Sequence, residues 1–174
     1  MRRLGGGLEG CHVLEVGCGG GYGVQLILEV LGAESVDAID MDPVMVRRAE
    51  RRLGTRAQVR IGDMVDTAAA AQSYDAVVEM GAMHLEPRWR DALRETRRVL
   101  KPGGRFYFEE IVRPFRQAAS ALATSRRVPR DFAKQSVFDE LERLNFTVHC
   151  VKSIRLPALT GMVGDIIAVA AVDP

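Results

Sequence analysis

The residues with the clearest chemical potential follow an apolar stretch near the start of the chain. Glycines stand at positions 17, 19, 20, 21 and 23, after the apolar run 13–16, and helical periodicity begins at Tyr22. A strand that turns into a helix through glycines exposes backbone N–H groups, and a ligand can approach the main chain closely there. Glu15 adds a carboxylate two residues before Gly17. The stretch therefore predicts a site where a small ligand contacts the main chain.

The composition indicates a single globular domain. The chain has 174 residues, of which 47% are apolar and 27% charged, and its net charge is +1. That length suits one domain with a substantial core, and the small net charge gives no global field that favours nucleic acid. Three cysteines, far apart in sequence, form neither a disulfide framework nor a zinc pattern. We expect reduced thiols, no metal site and a cytoplasmic protein, with no membrane association because no apolar run could span a bilayer.

Apolar segments alternate with helical segments along the chain and predict a doubly wound α/β sheet. Strands are predicted at 12–16, 35–40, 57–61, 74–80, 105–111, 147–156 and 165–172, and helices at 22–31, 43–53, 64–71 and 89–100. Strands separated by helices pair in parallel through right-handed crossovers. The last two strands are joined by residues 157–164, too few for a parallel crossover. We therefore expect a mostly parallel seven-stranded sheet with one antiparallel strand at or near an edge.

Residues 112–134 interrupt this alternation. The segment holds six basic residues against one acid, Asp131, and it follows the carboxyl end of the fifth predicted strand, where ligands bind in such sheets. We interpret it as a partly helical lid within one domain that spans residues 1–174. Only Phe115 and Phe132 interleave aromatic rings with the basic residues. A solvated lid face is therefore favoured over an RNA-binding surface.

Five motifs in order resemble the class I S-adenosylmethionine-dependent methyltransferases over nearly the whole chain. They are Val13-Leu-Glu-Val-Gly-Cys-Gly-Gly-Gly-Tyr-Gly23, Asp37-Ala-Ile-Asp40-Met-Asp42, Gly62-Asp63-Met64, Tyr74-Asp75-Ala-Val-Val and Leu100-Lys-Pro-Gly-Gly104. The resemblance implies a Rossmann-like methyltransferase fold. It also implies S-adenosyl-L-methionine as cofactor, S-adenosyl-L-homocysteine as product, and a small-molecule acceptor methylated at oxygen, nitrogen or carbon.

The resemblance assigns residues to the amino-acid tail and the sugar of the cofactor. Gly17, Gly19 and Gly21 let the main chain press against the tail, with N–H groups facing its carboxylate. Glu15 is placed near the tail, where its charge can meet the ammonium. Asp40, at the end of the second strand, is placed to accept from both ribose hydroxyls. A helix-capping or solvent-facing role for this aspartate is the alternative.

The adenine is assigned to residues after the second and third strands. Asp63 could accept from the adenine amino group, with Met64 and Met41 as apolar contacts, although Gly-Asp is also common in turns. Met80 and Gly81 are expected to touch the cofactor through backbone atoms. The predicted cofactor set is Glu15, Gly17, Cys18, Gly19, Gly21, Asp40, Met41, Asp63, Met64, Met80 and Gly81, with Cys18 as a small filler in the loop.

The catalytic candidates stand after the fourth strand and in the fifth. His84 falls where many small-molecule methyltransferases of this type carry a histidine, and its near-neutral titration suits a general base. Alternatively, it only braces the loop or caps the next helix. Glu79, Glu109 and Glu110 are acids near the same rim, and two of them facing the pocket could hold a cationic amine. His84, Glu79 and Glu109 are the catalytic residues that we predict.

Other functions fit the motifs less well. The fingerprint of an NAD(P)-dependent oxidoreductase needs glycines at the first, third and sixth positions, but the sixth residue from Gly17 is Tyr22 and from Gly19 it is Val24. A catalytically idle domain that binds the cofactor as a scaffold or regulator stays open. Few residues precede the first strand, fewer than relatives usually carry. Either the pocket is open, or residues 112–134 and the partner subunit of a homodimer close it.

Overall fold

Seven strands form one mixed sheet in the computed structural model, which describes residues 6–112, 129, 131–158 and 161–172. The strands are β1 (His12–Val16), β2 (Ser35–Asp40), β3 (Gln58–Ile61), β4 (Tyr74–Met80), β5 (Leu100–Val112), β6 (Phe146–Ala158) and β7 (Gly161–Val172). Across the sheet their order is β3, β2, β1, β4, β5, β7, β6. The first five pair in parallel, and β7 is antiparallel to both of its neighbours. The predicted fold class is confirmed.

Helices lie between β1 and β2, β2 and β3, β4 and β5, and β5 and β6. Within the described ranges they are α1 (Tyr22–Glu29), α2 (Pro43–Leu53), α3 (Trp89–Val99) and α4 (Lys134–Arg143), with a 3₁₀ turn at Met83–Leu85. The Asp42 side chain caps α2 by accepting from the Val44 N–H at 2.7 Å, and Pro43 occupies the first helical position, where its missing N–H is tolerated. None of these helices has the length and apolar character that crossing a membrane requires.

Two hydrophobic layers cover the two faces of the sheet. Side chains alternate between faces along a strand, so that Val13 of β1 joins one layer and Leu14 the other. The first layer contains buried residues of α1 and α2, such as Ile27, and the second contains those of α3 and α4, such as Trp89. Because both faces are covered by helices, a ligand is expected at the edge where the parallel strands end.

The fold differs from the sequence prediction around residues 64–71, where the expected short helix is wrong. The segment forms turns, with an isolated bridge between Asp63 and Asp66. The backbone N–H and hydroxyl of Thr67 both donate to Glu95 Oε1, at 2.9 Å and 2.6 Å. These bonds to a residue of α3 replace the local bonds that a helix would need.

A second difference concerns α4, a helix that the sequence analysis did not predict and that begins at the last residue of the predicted lid. Residues 113–128 and 130, most of the predicted lid, lie outside the described residues, and the lid stays a prediction. So does the assignment of residues 1–174 to one domain.

Candidate active site

A pocket of about 170 Å³ opens where β1 to β4 end. Five of its lining residues belong to the predicted cofactor set, and four do not. The five are Gly17, Asp40, Met41, Asp63 and Met64, and the four are Gly62, Ala82, Leu85 and Glu86. The loops after four different strands therefore converge on one cavity, which is the arrangement that the motif order predicts. Of the four, Ala82 and Leu85 carry no chemical signal in the sequence.

The turn between β1 and α1 lies directly against the turn after β4. Gly17 has φ 71°, a left-handed conformation that favours glycine, and a Cβ atom built on it would lie 2.4 Å from Ala82 Cβ. The N–H groups of Gly17 and Cys18 both donate to the Ile39 carbonyl, at 2.9 Å and 3.0 Å. The Ala82 methyl group therefore leaves no room for a side chain at position 17.

Asp40 connects the turns that follow β1 and β2. Its Oδ2 accepts from the Gly19 N–H and its Oδ1 from the Asp42 N–H, each at 2.8 Å. Asp42, not Asp40, is the helix cap, so the capping alternative for Asp40 is wrong. Since a carboxylate oxygen has two lone pairs, each oxygen can accept a further bond from a ligand in the pocket that Asp40 lines.

Glu15 is buried beneath the start of α1, with 2% of its surface exposed. Its Oε2 has no hydrogen-bond partner among the described residues, and a Cβ atom built on Gly23 would lie 1.9 Å from its Oε1. Burial, reinforced by the carboxyl groups of Glu79 and Asp40, raises the pKa of Glu15 to about 8. An unsatisfied buried oxygen costs free energy, and a cationic donor near Glu15 would remove that cost.

Asp63 and two methionines form the far wall of the pocket. Asp63 Oδ1 accepts from the Val65 N–H at 3.0 Å, and its Oδ2 lies 3.0 Å from Arg88 Nη2. A base that bonded Asp63 would therefore share it with Arg88, a partner that the sequence analysis missed. Met41 is 68% exposed, so it has apolar surface available to a ligand, and Met64 lines the same cavity.

Of the remaining predicted cofactor residues, Cys18 is 5% exposed, and burial raises its pKa to about 12, which suits a filler rather than a nucleophile. Gly19 and Gly21 also adopt positive φ, at 52° and 81°. Met80 is the last residue of β4, and Gly81 follows it, next to the pocket residue Ala82.

The Glu79 side chain holds the turn after β4 by accepting hydrogen bonds from its backbone. It is 1% exposed, and its Oε1 accepts from the Ala82 N–H and from the Met83 N–H, the latter at 3.0 Å. Burial, with the negative charge of Glu110 as the next cause, raises the pKa of Glu79 well above its usual range. This shift favours the protonated form of Glu79, while the two backbone N–H groups that it accepts from oppose the shift.

Glu110 holds His84 at two points. Its Oε1 accepts from the His84 N–H at 3.0 Å, and its Oε2 lies 2.8 Å from His84 Nδ1. The His84 side chain is only 12% exposed, and burial lowers its pKa, an effect that the charge of Glu79 opposes. A neutral imidazole at pH 7 is compatible with both roles predicted for His84, the general base and the brace.

Glu109 lies apart from these acids. Neighbouring residues of a strand point to opposite faces of a sheet, and Glu110 shares its face with the buried Phe108. Glu109 is paired in register with Met80 of β4 and is only partly buried. Glu109 and Glu110 therefore do not face one cation together, whereas Glu79 and Glu110 lie on the same side.

Comparisons with known proteins agree with this geometry. The family described as Methyltransferase domain matches residues 13–104. A phthiotriol/phenolphthiotriol dimycocerosates methyltransferase of Mycobacterium tuberculosis is 31% identical over 139 residues, which cover 78% of this chain and 51% of that protein. The fatty-acid O-methyltransferase of Mycolicibacterium smegmatis is 32% identical over 104 residues, 59% of this chain and 38% of that one. The chain thus spans about half the length, or less, of these curated relatives.

The solved structures show the same fold. The crystal structure of an S-adenosylmethionine dependent methyltransferase from Mesorhizobium loti aligns with a TM-score of 0.78 at 18% sequence identity. The alignment covers 94% of this chain and 92% of the other.

Proposed function

We propose that this chain, which belongs to the class I S-adenosylmethionine-dependent methyltransferases, binds S-adenosyl-L-methionine in its pocket and transfers a methyl group to a small molecule. The observation that carries the proposal is the convergence of Gly17, Asp40 and Asp63 on one cavity beside the buried carboxyl group of Glu15. The glycine turn at Gly17 and the Glu15 carboxyl group suit a zwitterionic tail. Asp40 suits a sugar, and Asp63 suits a base.

The residues present fit the cofactor. The orphaned Oε2 of Glu15 suits the ammonium of the tail, and the glycine turn, which excludes a side chain at Gly17, suits the close approach of its carboxylate. Asp40 has lone pairs left for the ribose hydroxyls. Asp63, with Met41 and Met64, would hold the adenine.

Bound S-adenosylmethionine would supply a methyl group on a sulfonium sulfur. A lone pair of the acceptor would form the new bond to the methyl carbon, and the electron pair of the carbon–sulfur bond would stay on sulfur. The product is S-adenosyl-L-homocysteine. The chain contributes mainly by positioning the acceptor. We propose that the acceptor has an apolar body methylated at oxygen, nitrogen or carbon. In support, Met41 and Leu85, which line the pocket, are 68% and 45% exposed, and one relative is named for fatty acids.

Turnover of an acceptor distinguishes an enzyme from a domain that only binds the cofactor. The expected test is methyl transfer from methyl-labelled S-adenosylmethionine to a panel of alcohols, phenols, amines, thiols, carboxylic acids and carbon nucleophiles, with formation of S-adenosylhomocysteine as readout. Binding of the cofactor without turnover across the panel would favour the scaffold. A homodimer, the absence of a nucleic-acid partner, the absence of membrane association and a cytoplasmic location stay predictions.

Replacing Asp40 by alanine is expected to weaken cofactor binding roughly 10- to 150-fold, because hydrogen bonds to a charged group are worth about 1.5–3 kcal/mol. The substitution also releases the Gly19 N–H that Asp40 holds. Titration calorimetry with S-adenosylmethionine and S-adenosylhomocysteine measures the effect, with Asp139→Ala, an exposed acid of α4, as control. An unchanged dissociation constant removes Asp40 from the site, and binding of NAD in place of both ligands overturns the proposed function.

A further inference from the structure

We infer that a basic cleft between the start of α1 and the outer face of α2 binds the phosphate group of a phosphate monoester. The cleft is open to solvent and has a volume of about 560 Å³. Its lining residues are Gly20, Tyr22, Met45, Arg48, Arg51 and Arg52. None of them lines the cofactor pocket. The cleft is therefore a second site, and the inference does not depend on the proposed methyl transfer.

The three arginines of the cleft lie on one face of α2, because they are spaced three and four residues apart. The opposite face of the helix carries its buried residues, Val46, Ala49 and Leu53. Like charges at this spacing destabilise a helix when nothing opposes them. A bound anion would supply the opposing charge.

The described part of the chain supplies no such charge. None of the three guanidinium groups forms an ion pair with a carboxylate of the described residues. Of the acids on α1 and α2, Glu29 pairs with Arg56 at 2.8 Å, Asp42 caps α2, and Glu50 does not line the cleft. Three positive charges thus converge on one cavity without a carboxylate in its lining.

The protein itself holds Arg52 in place. Its Nε donates to the Gly20 carbonyl at 2.8 Å, its Nη1 lies 3.4 Å from Gln25 Oε1, and its guanidinium carbon lies 3.4 Å from the centroid of the Tyr22 ring. Because a guanidinium has five N–H donors, further donors remain for an anion after these contacts. A group that is oriented in advance loses less conformational entropy when a ligand binds.

The number of guanidinium groups favours a phosphate monoester over a carboxylate. A monoester carries a charge of about −1.5 to −2 near pH 7 and has three acceptor oxygens, and guanidinium groups bind phosphate oxygens in pairs. Tyr22 is 69% exposed, although Arg52 lies over its ring. The exposed part of the ring gives the organic group of the ester a surface for packing. We therefore expect an ester to bind more tightly than inorganic phosphate.

The first test is titration calorimetry with phenyl phosphate at low ionic strength, where exposed charges are least screened. Phenyl phosphate should bind about tenfold more tightly than inorganic phosphate, which lacks the ring. It should also bind about tenfold more tightly than phenylacetate, which has the ring but only a carboxylate. Equal affinity for phenylacetate and phenyl phosphate overturns the ligand class.

Single substitutions on α2 separate a built site from diffuse attraction. Arg48→Gln and Arg51→Gln should each weaken the binding of phenyl phosphate about tenfold. Arg47→Gln removes the same charge from the same helix at an exposed position outside the cleft, and the dissociation constant should not change. Equal losses in all three variants would show only a solvated basic helix and overturn the site.

Saturation with S-adenosylmethionine tests whether the two sites are separate. Phenyl phosphate should still bind, because the cleft and the cofactor pocket share no lining residue. Displacement of phenyl phosphate would place it at the glycine turn, where a helix start also attracts anions, and would overturn the inference. Failure to bind S-adenosylmethionine overturns the proposed function instead and leaves the comparison of the arginine variants valid.

Vesicles identify the source of the monoester, since phosphatidic acid presents the same group at a membrane surface. We expect the chain to stay in the supernatant with vesicles of phosphatidylcholine and phosphatidic acid while it binds phenyl phosphate, which assigns the ligand to soluble monoesters. Sedimentation that phenyl phosphate and Arg51→Gln both abolish assigns the same cleft to a lipid headgroup. Failure to bind either probe overturns the inference.

Discussion

Replacing Glu15 by glutamine is expected to remove a loss of stability that the ligand-free protein undergoes as the pH rises from 4.5 to about 8. The pKa of Glu15 is raised from 4.5 to about 8 by burial, with Glu79 and Asp40 adding to the shift. Between these values the folded chain holds a proton on Glu15 that the unfolded chain has released. The free energy of unfolding therefore falls with pH by about 1.4 kcal/mol per unit over this interval.

Urea denaturation of the ligand-free protein at several pH values between 5 and 8 measures the effect. Relative to the wild type, Glu15→Gln should gain stability steadily with pH, by up to about 4 kcal/mol across the interval. The charge of Glu79 adds to the shift of Glu15, so the substitution removes this coupling together with the titration of Glu15. Glu34→Gln, which removes an exposed acid, should follow the wild type. Parallel stability curves for wild type and Glu15→Gln would show that Glu15 is ionised in the folded chain.

The same carboxyl group predicts that cofactor binding releases a proton near pH 7. A cationic tail beside Glu15 stabilises the ionised form and lowers its pKa, so the proton that the free protein holds leaves on binding. Calorimetry in two buffers with different enthalpies of ionisation measures the number of protons released. The release should disappear in Glu15→Gln, and a binding enthalpy independent of the buffer in the wild type would contradict the prediction.

Replacing Gly17 by alanine is expected to destabilise the protein by roughly 2–5 kcal/mol and to impair cofactor binding. Part of the cost, about 1–2 kcal/mol, comes from a left-handed backbone at φ 71° that carries a Cβ. A further 1–3 kcal/mol, approximately, comes from overpacking, because the new methyl group would lie 2.4 Å from Ala82 Cβ. Relief of the clash must separate the two turns that form the pocket.

Gly103→Ala is the matched control for this substitution. Gly103 has nearly the same φ, 72°, but no heavy atom lies within 4 Å of its added Cβ. It should therefore show the backbone cost alone and unchanged cofactor affinity. Urea denaturation and calorimetry on both variants separate the two contributions. Equal stability losses in the two variants would mean that the contact between Gly17 and Ala82 opens at no cost.

Local signals explain which parts of the fold were predictable. The bounds of β1, β2, β4 and α2 agree with the prediction, since buried apolar runs and the Asp42-Pro43 helix start are short-range patterns. Asp40 and Gly17 meet because the ends of parallel strands converge whatever the details of packing. The sequence was thus sufficient to predict that Gly17, Asp40 and Asp63 lie at one pocket.

Contacts that depend on tertiary packing were not predictable. His84 and Glu110 are 26 residues apart, and their meeting requires the register of β4 against β5. The ion pair of Asp63 with Arg88 bridges 25 residues in the same way. At residues 64–71 the sequence pattern favours a helix, but the bonds between Thr67 and Glu95 stabilise turns instead. No sequence pattern within a single segment predicts such pairs.

The double anchoring of the turn after β4 has a consequence for how ligands enter. Moving that turn aside would strip Ala82, Met83 and His84 of bonds to carboxyl groups that cannot follow them, since both acids belong to strands in the middle of the sheet. The turn is therefore expected to keep its position when a ligand enters the pocket. Its amides should exchange with heavy water as slowly as those of the sheet, and induced fit must come from elsewhere on the pocket rim.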